Sequence, residues 1–162
     1  GRALLRAAAC PVLVAPDGAP VPAFRRAAVG MDLSPAALDA LALAGRLSEE
    51  VEALAVLSPE DAHAAADTVG RAVRERFLAA LAERGLPEVP LRTVVSGSPA
   101  DALLAVVDGV DLLVVGSRGL SPLAAVFLGS TAERLAARSP RPVLVVRRPG
   151  EARGLLGALF HP

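Results

Sequence analysis

Five short apolar runs, separated by stretches that start with helix-opening residues, leave this chain few ways to fold. The runs are Arg26–Met31, Ala53–Leu57, Leu91–Val95, Asp111–Gly116 and Pro142–Val146. Several are β-branched, and all are too short for helices. They are continuous rather than alternating, the pattern of strands buried on both faces of a parallel sheet. Between them lie helical patterns. Leu38, Leu41 and Gly45 sit at i, i+3 and i+7, and a segment from about Glu60 to Arg84 carries Val69, Val73, Phe77, Leu78 and Leu81. A third holds Leu103, Leu104 and Val107 and ends at Gly109, and a fourth runs from Thr131 to Arg138. Ser34-Pro35, Ser58-Pro59 and Ser98-Pro99 each follow a run. Serine accepts a backbone N–H as N-cap, and proline fits the first helical turn. Asp61 and Asp101 then fall at the third helical position, where an acid favours the positive helix end. Ser130-Thr-Ala-Glu133 has the spacing of a capping box. The resulting β-α-β-α-β-α-β-α-β order predicts an α/β fold, a doubly wound three-layer sandwich with a mainly parallel five-stranded sheet. Ligands of such sheets bind outside the carboxyl ends of the strands, near the point where the strand order reverses.

One stretch at that edge carries chemistry. The fourth run ends in Gly116-x2-Gly119-x9-Gly129-Ser130. Glycine lacks a Cβ, so its backbone approaches phosphate oxygens closely, and successive N–H groups form an anion nest. Ser130 opens the next helix, whose first N–H groups favour negative charge. Arg118 adds a cation or points to solvent. All 17 basic residues are arginine. The absence of lysine excludes a Walker A loop, which needs its lysine at the β/γ-phosphates, and it excludes Schiff-base chemistry. Asp32 closes the first run, where an acid accepts hydrogen bonds from ribose hydroxyls. Taken alone it reads first as the Asx turn that starts a helix; paired with the glycine segment at the same sheet edge, the ligand role is the better reading. Gly97 lies at the same edge, for a ligand or for a tight turn.

Other classes are disfavoured. Formal net charge is zero and aromatics are 2%, without the basic excess or stacking platform of a nucleic-acid binder. Cys10 is the single cysteine, so neither an intrachain disulfide nor a thiolate metal site forms. His63 and His161 have no companions at ligand spacing. No apolar run is long enough to span a bilayer, and the opening residues lack a signal-peptide core; a cytoplasmic location is expected. The 162 residues suit one domain.

A partial repeat divides the chain. Residues 3–15, ending Pro11-Val-Leu-Val-Ala15, resemble residues 134–146, ending Pro142-Val-Leu-Val-Val146. Both read as a helix end followed by a strand. Residues 1–16 therefore read as the tail of a preceding domain of the same kind, contributing an extra N-terminal strand. Residues 17–24 are the linker, 25–148 the main domain and 149–162 an apolar C-terminal tail.

These residues resemble the universal stress protein family. The likeness spans about residues 25 to 147, and the Gly116, Gly119, Gly129, Ser130 spacing is similar to the signature of the family's ATP-binding branch. The resemblance implies a sheet order of 3-2-1-4-5. It implies ATP as ligand, with its phosphates on the backbone of Gly116 to Ser130 and Thr131 and with Mg²⁺ or Mn²⁺ bridging them. Asp32 would hold the ribose, and the adenine would rest on main chain at Val56 and Leu57. It also implies antiparallel pairing of last strands, in a homodimer or a tandem pseudo-dimer, and a regulatory or stress-response role in which binding rather than turnover is the output. Two alternatives stand beside it. One is a slow ATPase or adenylyl-transferring enzyme, with Asp32 and Ser117 as the candidates to position water. The other is a nucleotide-free dimeric interaction module.

Overall fold

The computed structural model describes residues 5, 8, 10–18, 23–117 and 129–147. Arg118, Gly119, His161 and the tail 149–162 lie outside the described residues, as does the side chain of His63. The elements in chain order are β1 (Val12–Val14), β2 (Arg26–Met31), α1 (Pro35–Leu47), β3 (Glu50–Leu57), α2 (Pro59–Arg84), β4 (Leu91–Val95), α3 (Pro99–Ala105), a 3₁₀ turn (Val107–Gly109), β5 (Leu112–Gly116), α4 (Ser130–Arg138) and β6 (Val143–Val146). The sheet order is β1-β6-β5-β2-β3-β4. Strands β2 to β6 run parallel, and β1 lies antiparallel on β6. Counted from β2, the five parallel strands have the expected order 3-2-1-4-5, with the extra strand at the β6 edge.

The period of the strands sets the two faces of the core. Ala28, Leu113, Val115, Val143 and Val145 join Leu103 and Leu135 under α3 and α4. Ala27, Val29, Leu112, Val114 and Leu144 join Leu38, Leu41, Phe77 and Leu81 under α1 and α2. All of these residues are buried, so the continuous apolar runs are explained by helices on both sides. Phe77 and Leu81 anchor α2 through its C-terminal half, whereas Val69 and Val73 are only half-buried. Among the described residues, no helix is long and apolar enough to cross a membrane.

Three local expectations are revised. Strand β3 starts at Glu50, three residues before the apolar run, because β2 already pairs from Arg26 and the register sets Arg26 against Glu50. The Arg26 Nε donates to Glu50 Oε2 at 3.0 Å, so charges that mask the strand in the sequence pair across it. The third helix stops at Ala105, and Val107–Gly109 forms a separate 3₁₀ turn. The capping box at Ser130 does not form. Gly129 is the N-cap of α4 with no side-chain cap, which places Ser130 inside the helix. The other three caps form as expected. The hydroxyl oxygens of Ser34, Ser58 and Ser98 accept from the N–H groups of Ala37, Asp61 and Asp101 at 3.1, 3.1 and 3.3 Å.

The two Pro-Val-Leu-Val segments meet. Val12 pairs with Val145, Leu13 with Leu144 and Val14 with Val143. Identical sequences thus face each other in self-complementary register, with a local two-fold axis between Leu13 and Leu144. Arg147 fastens the approach to β1: it is buried, and its Nη1 donates to the carbonyls of Leu5 at 3.2 Å and Ala8 at 3.0 Å.

Gly116 is a packing glycine. A Cβ there would lie 2.9 Å from the carbonyl carbon and Cβ of Ala36 and 3.0 Å from the Ala37 nitrogen. Backbone cannot yield as a flexible side chain does, so Gly116→Ala should lower stability by about 1–3 kcal/mol, read as a lower urea midpoint at unchanged m-value. Arg147→Met should cost about 1–3 kcal/mol through the carbonyls it abandons. Amide exchange at Val12–Val14 should rise more than at β2.

Candidate functional site

Strand order reverses between β2 and β5: from β2 the chain proceeds to β3 and β4 on one side, while β5 and β6 lie on the other. The crevice at their carboxyl ends is where an α/β sheet receives a ligand. Asp32 follows β2 there, and Gly116 ends β5, its parallel neighbour. The register sets Met31 against Ala55, so Val56 stands one strand away at the level of Asp32. Val56 is half-buried against the core, paired with Val94 of the edge strand β4.

The Asp32 turn is tightly specified. Its Oδ1 accepts the Ser34 N–H at 2.9 Å, so the Asx-turn reading holds for one oxygen, while the residue as a whole is exposed at the crevice. Leu33 has φ 63°, and among the described residues it is the one non-glycine residue with positive φ. Sequence reasoning missed it, because a left-handed position is normally signalled by glycine or asparagine. The only signal was the shortness of the Asp-Leu-Ser-Pro link between a strand and a capped helix.

Ser117 and Gly129 bring the two ends of the glycine segment together. The Ser117 N–H donates to the Val146 carbonyl at 2.8 Å, and the Ser117 carbonyl accepts the Gly129 N–H at 2.8 Å. Ser117 is fully buried. The start of α4, with Ser130 exposed and Thr131 half-buried, is thereby held beside the end of β5. The Gly129 N-cap bears no side chain to occupy the helix end, which leaves that end suited to an anion. Asp32, Val56, Gly116, Gly129, Ser130 and Thr131 therefore share one edge. Gly97, beside it, lacks a positive φ and has open space where a Cβ would lie, so neither turn geometry nor packing among the described residues requires a glycine there. Nearby, the Arg138 guanidinium and the Ser98 hydroxyl hold the Asp101 carboxyl below its ordinary pKa.

A second depression, about 530 Å³, opens at the opposite, amino end of β2 and β3, lined by Arg26, Glu49, Glu50, Glu52, Glu88 and Pro90 among others. Its carboxylates disfavour a phosphate ligand, and it lies away from the point of strand reversal.

Residues 23–147 match the universal stress protein family. The protein named "Universal stress protein in QAH/OAS sulfhydrylase 3′region" from Thermus aquaticus is 40% identical over 70 residues, 42% of this chain and 50% of that protein. The match thus spans half the length of this relative. The crystal structure of a universal stress protein from Archaeoglobus fulgidus is 30% identical, covering 90% of this chain and 53% of that one, with a TM-score of 0.63. A universal stress protein crystallised in complex with cAMP is 33% identical, covering 77% of this chain and 98% of that one, with a TM-score of 0.52. With a match across most of its length and the strand order to accompany it, the chain belongs to the universal stress protein family.

Proposed function

We propose that the chain binds ATP at the carboxyl edge between β2 and β5 and acts as a nucleotide-dependent regulatory or stress-response protein. The observation that carries the reading is the Gly129–Ser117 backbone hydrogen bond of 2.8 Å, which sets the glycine N-cap of α4 beside the end of β5, at the same edge as Asp32. The relative crystallised with cAMP supports an adenine nucleotide as ligand. In this reading the phosphates rest on the backbone at Gly116, Gly129, Ser130 and Thr131, with Arg118 and Gly119 completing the loop. Asp32 accepts from the ribose, and the adenine lies on main chain at Val56. Among the described residues no group of three or more His, Cys, Asp or Glu could hold a metal ion. Mg²⁺ or Mn²⁺ would accompany the nucleotide in this reading and neutralise its phosphate charge. The cytoplasm, where ATP is abundant, is the proposed place of action.

The pairing of β1 with β6 supports a further part of the proposal: residues 1–16 are the tail of a preceding like domain, and β6 is a pairing edge. Between separate chains the same edge would make a homodimer.

Two outcomes check these readings. Gly129 sits at φ −60° and ψ 143°, a conformation open to any residue, so Gly129→Val should spare the fold while crowding the anion site. Calorimetric titration should show ATP affinity lowered about tenfold or more, with the thermal midpoint retained; equal affinity would sink the site. Removal of residues 1–16 should expose β6 and convert the chain to a dimer in sedimentation experiments. A truncated chain that stays monomeric at high concentration would refute β6 as a pairing edge.

A further inference from the structure

We infer that Leu33 is a positioning residue whose left-handed backbone aims the Asp32 carboxylate at the ribose; the inference rests on the nucleotide reading above and deepens it. The chain has three residues, Asp32, Leu33 and Ser34, in which to pass from β2 to α1, and both ends of that link are fixed. Met31 is held in the ladder opposite Ala55. Ser34 is buried, is set extended at φ −65° and ψ 153° before Pro35, and caps α1 through Ala37. Moving α1 to ease the turn is blocked at Gly116, against which the backbone of Ala36 and Ala37 already packs.

Within this link the Asp32 side chain stands in for the first residue of a β-turn. Its Oδ1 accepts the Ser34 N–H at 2.9 Å, and Leu33 occupies the position that in a type II turn requires positive φ. Leucine is a costly occupant, because its Cβ crowds the following carbonyl. Glycine would adopt the same φ freely. What leucine adds is an anchor: its side chain packs on the apolar cluster beneath α1. The backbone is thus held in a rare conformation by a half-buried side chain packed on the core, and the hydrogen bond from the Ser34 N–H ties the Asp32 carboxylate to that backbone. A strained residue retained beside an exposed acid, at the point of strand reversal, is where strain is expected to serve a ligand.

The test compares ATP with 2′,3′-dideoxy-ATP by calorimetry. The wild-type chain should prefer ATP by about tenfold, the worth of a charge-assisted hydrogen bond to Asp32. Leu33→Val, whose β-branch excludes the left-handed region, should abolish the preference while leaving affinity for the dideoxy nucleotide unchanged. Leu33→Asn, which tolerates that region but lacks the apolar anchor, should keep only part of it. In an Asp32→Ala background Leu33→Val should have no further effect on ATP affinity. If Leu33→Val fails to fold, Leu33→Gly carries the test: it should fold and lose part of the preference, and an intact preference overturns the inference. An intact preference in folded Leu33→Val, or additive losses in the double variant, overturns it while leaving the nucleotide site standing. Absence of ATP binding by the wild-type chain overturns the site and the inference together, and ATP binding without ribose preference overturns the role of Asp32 and hence of Leu33.

Discussion

The close approach of α1 to the end of β5 is the constraint on which the carboxyl edge depends. Gly116 admits the backbone of Ala36 and Ala37 where any side chain would collide. That contact fixes the start of α1, and with it the three-residue link back to β2. The same strand end continues into Ser117, whose two backbone groups tie β6 on one side and α4 on the other. Gly116 and Ser117 together thus set the relative positions of two helix starts and two strand ends. A glycine that sequence reading assigns to ligand contact is, at this position, first a requirement of packing.

The sequence made the fold legible because the strands at the centre of the sheet, β2, β5 and β6, are apolar on both faces, whereas the edge strand β4 has no buried residue, and because each of the first three helices opens on serine and proline. Both signals are local, and both survive in the structure as buried runs and as caps at Ser34, Ser58 and Ser98. The legible part of the site was its spacing, since Gly116, Gly129 and Ser130 fall where the chain must leave a strand and begin a helix. What stayed hidden were properties set by partners distant in sequence. Glu50 and Glu52 belong to a strand because β2 pairs with them. Gly129 displaces Ser130 as the cap because the Glu133 N–H bonds to the Gly129 carbonyl, starting the helix one residue earlier. Leu33 turns left-handed because both its flanks are fixed, a condition that composition does not reveal.

Charge is distributed by the same logic. Among the described residues, three ion pairs at or near the surface join neighbouring elements: Arg26 with Glu50 between strands, Arg84 with Asp39 between α2 and α1, Arg138 with Asp101 between α4 and α3. Such exposed pairs stabilise by tenths of a kcal/mol to about 1 kcal/mol, so they tune the packing of helices rather than create it. The buried cation Arg147 is different in kind. It is paired with carbonyls, and it joins the N-terminal segment to the strand that ends beside the glycine loop.

The self-complementary ladder between β1 and β6 also bears on how the chain reaches its native state. Its two strands come from opposite ends of the sequence, so closing it carries the largest loop entropy in the sheet and belongs late in folding. Until then β6, four consecutive buried aliphatic residues, presents an unpaired edge of a kind that templates aggregation. A nascent chain would carry β1 out of the ribosome long before the strand it protects. The edge that pairs with β1 in the folded protein is therefore also the one left open longest on the way there.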